Sequence, residues 1–309
     1  MNIYSCIDSK NIEKVLILFY SIIINSPTNN FKFFIITDKF NDINIPINFQ
    51  DRIFIKELMI DQKWRKLIDN FNENFYKDVP WCRSDMNFAR FFIFEHFPQI
   101  NRAIYLDWDM IVVNDIEKLL KFYNDTDKII VSSLEIEQSI LNSSFTDNFK
   151  HSRNINSIYL QCKKEILKLH DITKVLENLN ITYDDIIKNQ SFNAGFFIVS
   201  RIHFDIDYLF YFIGTLIKIQ ISKNCFKFGT QTILNLMLVN DKYFIEKEWN
   251  YIPNINENCN IEKANIIHWN GSNKPWKNKS SVNKIWWHYH DNYKNYINQT
   301  KDDFNEMNV

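Results

Sequence analysis

The chain has 309 residues, 46% of them hydrophobic, with a formal net charge of −1 and a pI near 6.7. It can bury one large core or two small ones, and its near-neutral balance excludes a binder that depends on a bulk positive field, so no nucleic-acid partner is expected. Five scattered cysteines, none in a C-x-x-C pair, argue against a disulfide framework or zinc site and for a reducing, cytoplasmic setting.

In chain order, "MNIYSCID" reads as a short apolar strand ending in Asp8, followed by an apolar helix over 12–25. The run 14–24 resembles a signal-peptide core, but Asp8 and Glu13 precede it, no small-residue cleavage site follows, and it is too short to span a bilayer; a buried first helix is expected. "FKFFIITD" and "DRIFIKEL" are further strands, so the chain opens in the alternating pattern of a doubly wound α/β sheet. In such sheets ligands collect at the carboxyl ends of strands. Residues 84–98 read as an amphipathic helix stopped by Pro98, and Asn114 or Asp115 as the N-cap of a short helix. "KIIVSSLE" is a strand, 139–185 is polar and mixed with one helical stretch, and 191–200 is a strand interrupted by Gly195. "DIDYLFYFIGTLIKI" is helical, another helix starts after Gly229, and 265–276 is a strand running into a Gly/Pro-punctuated loop. With only four glycines in the chain, each is expected to answer a backbone need.

The stretch "RAIYLDWDMIVVND" sets Asp107 and Asp109 into an apolar strand. Residues i and i+2 of a strand share a face, so the two carboxylates face together with Trp108 opposite. Burying a like-charged pair costs several kcal/mol each unless something cationic offsets it. Salt bridges or a strand-end turn would answer that, and so would a divalent cation on oxygen ligands. "IIHWNGSNKPW" places His268 at the end of another apolar strand, then Gly271, which lets backbone approach a ligand, and Lys274, a phosphate-seeking ammonium. Two carboxylates and an imidazole suit Mn²⁺ or Mg²⁺ with positions left open for phosphate oxygens, the grip a nucleoside diphosphate leaving group needs.

"AIYLDWDMIV", "SFNAGFFIVS", "TQTILN" and "HWNGSNKPW", in that order, resemble the family 8 glycosyltransferases, retaining enzymes that include bacterial lipopolysaccharide galactosyl- and glucosyltransferases and glycogenin. The resemblance implies a GT-A fold over 1–276, with a Rossmann-like, mostly parallel sheet. It implies transfer of a hexose, glucose or galactose, from a UDP-sugar to a glycan or lipopolysaccharide-type hydroxyl. It implies Mn²⁺ on Asp107, Asp109 and His268, Asp8 at the uracil edge, and Arg90 near the donor sugar and phosphate. Asn193, Ala194 and Gly195 would line the sugar pocket and Lys274 would meet the diphosphate. Gln231 would lie nearest the reacting anomeric carbon, its dipole stabilising a cationic sugar.

The chain departs from the family at Asn11, where Tyr often stacks on the base, and at Thr230 and Thr232, where an Asp usually precedes and often also follows the Gln. The two Thr leave a catalytically weak or inactive nucleotide-sugar- or glycan-binding GT-A protein as the alternative. The stretch between Asp107 and Asn193 is longer than the family's usual spacing, which makes 139–185 an insertion expected to serve acceptor recognition. A haloacid-dehalogenase-type phosphatase also uses Asp-x-Asp, but wants Gly or Thr just after it, where Met110 and Ile111 stand. In the tail, 277–309, Lys277, Lys279 and Lys284 beside Trp286, Trp287 and Tyr289 suit an anionic membrane surface on the cytoplasmic side; a terminal helix packed on the core is the other reading.

Overall fold

The structure, a computed structural model, describes residues 1–26, 28, 30–40, 43–76, 83–124, 128–132, 192–218, 229–253 and 261–307, the last eight for backbone alone. Residues 139–185, expected to be an insertion, lie outside the described residues. Among the described residues nine strands form two sheets. They are β1 (Asn2–Ile7), β2 (Lys32–Thr37), β3 (Ile53–Glu57), β4 (Arg102–Leu106), β5 (Met110–Val112), β6 (Ile129–Ser132), β7 (Phe196–Ser200), β8 (Lys242–Ile245) and β9 (Ile266–His268). Seven make the central sheet in the order β3-β2-β1-β4-β7-β6-β8, and β5 pairs with β9 apart. Only β7 runs against the rest.

The strands are apolar on both faces because both are covered, as a parallel sheet requires. Alternate residues go to opposite cores: Tyr4, Phe34, Ile36 and Tyr105 to one, Ile3, Phe33, Ile35 and Ile104 to the other. The first core is closed by α2 (Gln62–Phe75), α3 (Ile206–Lys218) and α4 (Thr230–Met237); the second by α1 (Ile12–Asn25) and α5 (Asn283–Met307). Helix α1 is apolar nearly all round, Val15 through Ile22 being buried, since it lies between the sheet, β5 and α5. That explains the signal-like run. Among the described residues no helix is long and apolar enough to cross a membrane.

Three expectations need correction. Residues 84–98 are not one amphipathic helix but short turns, Met86–Ala89, a 3-10 turn Arg90–Phe92, and Ile93–His96. Everything from Phe88 to Phe94 is buried, and the Arg90 carbonyl accepts from the Tyr4 hydroxyl at 3.1 Å, an outside partner. Asp107 and Asp109 do not sit within one strand. After Leu106 the Asp107 N–H makes a last sheet bond to the Gly195 carbonyl at 2.9 Å; a turn carries Trp108, and the chain enters the small sheet at Met110. The third concerns the tail. Trp286, Tyr289 and Tyr293 are buried against the core, with the Tyr289 hydroxyl receiving a bond from Asn25 Nδ2 at 2.8 Å, so these aromatics are not free for a lipid surface. The expected cap is found: Asp115 accepts from the Glu117 N–H at 2.9 Å.

Candidate metal and donor site

The reversal of β7 builds half the site. Antiparallel register from Arg102↔Ser200 to Leu106↔Phe196 sets the entry to β7, Asn193–Ala194–Gly195, beside the exit of β4, where Asp107 stands. The small sheet builds the other half. Register Met110↔His268, with the Trp269 N–H donating to the Asp109 carbonyl at 3.0 Å, brings the imidazole next to Asp109. Backbone pairing thus closes a gap of well over a hundred residues.

Asp107, Asp109 and His268 offer ligand atoms within 4.8 Å of one another, the sole such group among the described residues. His268 Nε2 lies 3.3 Å from Asp109 Oδ1 and 3.8 Å from Asp107 Oδ2. Among the described residues neither Asp109 Oδ1 nor His268 Nε2 has a hydrogen-bond partner, although both are buried. Buried polar atoms are rarely left so, and two orphaned ligand atoms aimed at one point fit a divalent cation that takes carboxylate and imidazole. Lys274 Nζ holds the other oxygen of Asp109 and donates to the Trp269 carbonyl at 3.1 Å. Burial alone would raise the Asp109 carboxyl; the Lys274 ammonium and His268 beside it outweigh burial and hold it well below the usual carboxylate range.

Asp107 is more open, its side chain 24% exposed against 7% for Asp109. Its Oδ1 accepts from the Tyr105 hydroxyl at 2.5 Å and lies 3.6 Å from Arg90 Nη2. Arg90 is buried, its guanidinium 4.7 Å over the Tyr105 ring, with Nη1 donating to the Ala194 carbonyl at 2.9 Å. It therefore joins the carboxylate half to the β7 half. Trp108 stacks on Trp276 at 5.0 Å, capped by the Lys14 ammonium.

On the β7 side, Gln231 Oε1 accepts from the Ala194 N–H at 3.0 Å and from Asn193 Nδ2 at 3.2 Å. Its side-chain carbonyl is thus committed inside the protein. Thr230, where a carboxylate was the norm, donates its hydroxyl to the Asn87 carbonyl at 2.9 Å, a structural use. Gly195 is required by contact: a Cβ there would meet His268 Cε1 at 2.4 Å. Gly271 has φ +88°, a conformation that favours glycine. Asp8 follows β1 at the same end of the sheet; its carbonyl accepts from the Asn11 N–H at 2.8 Å, and Asp38 at the end of β2 accepts from the Ser9 N–H at 2.6 Å.

Sequence reasoning missed Asn250, which is fully buried and bonded to both His268 and Asn193. No periodicity in "KEWNYIPN" marks it; the signal is three-dimensional, the strip 250–251 running beside β9 with the His268 N–H on the Tyr251 carbonyl at 2.8 Å. Tyr105 was visible in principle, two positions before Asp107 on the same strand face.

A profile of the family described as Glycosyl transferase family 8 matches residues 2–280. The chain belongs to that family. Among solved structures, family 8 similarity extends to a galactosyltransferase, LgtC, in complex with donor and acceptor sugar analogues. That match has TM-score 0.61 at 12% identity over 94% of this chain and 96% of that one. The glycosyltransferase GlyE of Streptococcus pneumoniae matches with TM-score 0.54 at 15% identity over 96% of this chain and 63% of that one. Both likenesses concern the fold, and the mostly parallel seven-stranded sheet is the GT-A arrangement expected for family 8. A curated relative in Arabidopsis thaliana, named probable galacturonosyltransferase-like 3, is 22% identical over 199 residues; the match covers 62% of this chain and half of that protein's length.

Proposed function

We propose that the chain is a retaining hexosyltransferase that moves glucose or galactose from a UDP-sugar to a hydroxyl of a glycan or lipopolysaccharide-type acceptor. The observation that carries this is the pair of orphaned atoms, Asp109 Oδ1 and His268 Nε2, facing each other beside Asp107 in a family 8 chain. Asp107, Asp109 and His268 would hold Mn²⁺, or Mg²⁺. A cation there supplies charge neutralisation for the departing diphosphate.

The chain's own residues do the rest. Lys274, tied to Asp109 and the Trp269 carbonyl, presents a fixed ammonium to the leaving phosphate, stabilisation that needs no reorganisation at the moment of reaction. Arg90 keeps Asp107 and the Ala194 carbonyl in register, so donor sugar and diphosphate meet one rigid wall. Asn193, Ala194 and Gly195 form the sugar side of that wall. Gln231 spends both lone pairs of its carbonyl on Ala194 and Asn193, so its amide NH₂ is the end left to donate to a sugar or acceptor oxygen. Retention follows when the acceptor hydroxyl enters on the face the diphosphate leaves, and a departing phosphate oxygen takes the acceptor proton. Residues 139–185 are assigned to acceptor recognition, and Asp8 to the uracil edge. A peripheral position on the cytoplasmic membrane face rests on Lys277, Lys279 and Lys284 alone, and vesicle flotation tests it.

The Thr230–Asn87 bond favours a second reading, a donor-binding protein with weak turnover, because this position offers no carboxylate to sugar hydroxyls. One assay separates the two: release of UDP from UDP-glucose, UDP-galactose and UDP-galacturonic acid with Mn²⁺, in wild type and Asp107→Asn. Asp107→Asn is expected to lose about 10³-fold in turnover, corresponding to roughly 4 kcal/mol of transition-state stabilisation. Turnover in Asp107→Asn that persists in EDTA would falsify the metal-dependent reading. Binding without turnover in wild type selects the second. An inverted anomeric product removes retention.

A further inference from the structure

We propose that Asn250 is a positioning residue that fixes the proton of His268 on Nδ1 and so keeps Nε2 as the metal-facing lone pair. The inference rests on the metal reading of the site and adds a residue to it. A main-chain N–H can only donate. Gly195 N–H meets Asn193 at 2.9 Å, so the atom it meets is Oδ1. Ala194 N–H likewise fixes Oε1 of Gln231 at 3.0 Å, and Asn193 Nδ2 turns to that same oxygen at 3.2 Å, an independent agreement on the Asn193 orientation. Asn250 meets Asn193 Oδ1 at 3.1 Å and must do so with its NH₂. Its own Oδ1 then faces His268 Nδ1 at 2.9 Å, and an oxygen there can only accept. Hence Nδ1 carries a proton and Nε2 is directed at Asp107 and Asp109.

Every link is buried: Asn193, Asn250 and His268 are 4%, 1% and 1% exposed. Turning Asn250 over would set its oxygen against Asn193 Oδ1, two acceptors facing each other in a buried site. The proton direction is therefore written from two peptide N–H groups through three side-chain amides into the imidazole. Partners of this kind orient metal-ligating histidines, and losing one typically costs 10- to 100-fold in metal affinity.

The test has two readouts that need no turnover. Histidine-labelled ¹⁵N NMR of the metal-free chain, with His268 assigned by comparison with His268→Gln, reports whether Nδ1 carries a proton. Mn²⁺ titration followed by EPR reports affinity in wild type, Asn250→Leu and Asn250→Asp. The expectation is a protonated Nδ1 in wild type. Affinity should be about 10- to 100-fold weaker in Asn250→Leu, and Asn250→Asp, which keeps the acceptor for Nδ1–H, should bind clearly tighter than Asn250→Leu. An unprotonated Nδ1 in wild type overturns the proposal, and so does a folded Asn250→Leu chain with wild-type affinity. Should Asn250→Leu not fold, the wild-type spectrum and an Asn250→Asp affinity lowered by 10-fold or more remain able to overturn it. A wild-type chain that binds no Mn²⁺ overturns the metal reading and this inference together, which distinguishes that failure from the others.

Discussion

The two ends of the site, a metal end and a sugar end in the function proposed above, are held by different forces. At the metal end, Asp109, Lys274 and His268 are charged or ligating groups brought together by strand pairing, and backbone register leaves them little freedom. At the sugar end, Gln231, Asn193, Asn250 and Thr230 are neutral and linked by hydrogen bonds between side chains and main chain. Charge must be concentrated where a diphosphate leaves. Neutral donors and acceptors suit a sugar, whose hydroxyls need direction more than field. Gly195 joins the ends, since its N–H orients Asn193 while the place a Cβ would take is filled by the His268 ring.

That position gives the sharpest way to break the comparison. Gly195→Ala puts a methyl 2.4 Å from His268 Cε1 and 2.9 Å from Asn193 Oδ1, contacts that cannot persist. The His268 ring or the Asn193 amide must move. Overpacking of this kind costs about 1–3 kcal/mol, and moving the imidazole should cost at least 10-fold in Mn²⁺ affinity. Urea unfolding and Mn²⁺ titration measure the two. A Gly195→Ala chain with wild-type values on both would show that the ends are not sterically joined.

The next substitution tests whether the sugar end is neutral by need. Thr230→Asp replaces a hydroxyl donor with an acceptor directed at the Asn87 carbonyl, itself an acceptor. The chain should lose about 1–3 kcal/mol, the cost of an unsatisfied buried group, with no gain in turnover. Thr230→Val, which only removes the bond, should cost about 1 kcal/mol. Faster UDP-sugar turnover in Thr230→Asp would mean instead that the position faces the sugar.

The same contrast explains what the sequence made visible. The metal end was legible because its parts have few other uses: a carboxylate pair in an apolar run, and a His ahead of Gly and Lys, stand out against strand hydrophobicity. The first helix and the opening strands were legible because burial on all sides leaves long apolar runs. Helix α2 was overlooked although Trp64, Leu67, Ile68, Phe71 and Phe75 keep helical spacing and Asp61 caps it at 2.7 Å. The sugar end was legible only as a resemblance. Asn250 gives no local signal, because its role depends on a strip of chain lying beside β9. The orientation of Gln231 depends on a peptide N–H nearly forty positions away. The break at Asp107 stayed only an alternative in the sequence, because a strand ladder and its exit turn share one hydrophobic pattern; the Asp107 N–H bond to the Gly195 carbonyl shows where the sheet stops.

Acid should separate the two ends most gently. Asp109 has its folded pKa lowered by Lys274 and His268 against the opposing effect of burial, while its unfolded value stays near the ordinary 3.8. Between those two values the unfolded chain binds the extra proton, so stability falls as pH drops below about 4 and is fully present above that window. The neutral amides of the sugar end do not titrate there. In metal-free chain, the slope of unfolding free energy against pH below about 4 should be shallower in Asp109→Asn than in wild type, and unchanged in Thr230→Val. Equal slopes for Asp109→Asn and wild type would mean that Lys274 does not hold this carboxylate charged, and the electrostatic account of the metal end would have to be rebuilt on Asp107 and Arg90.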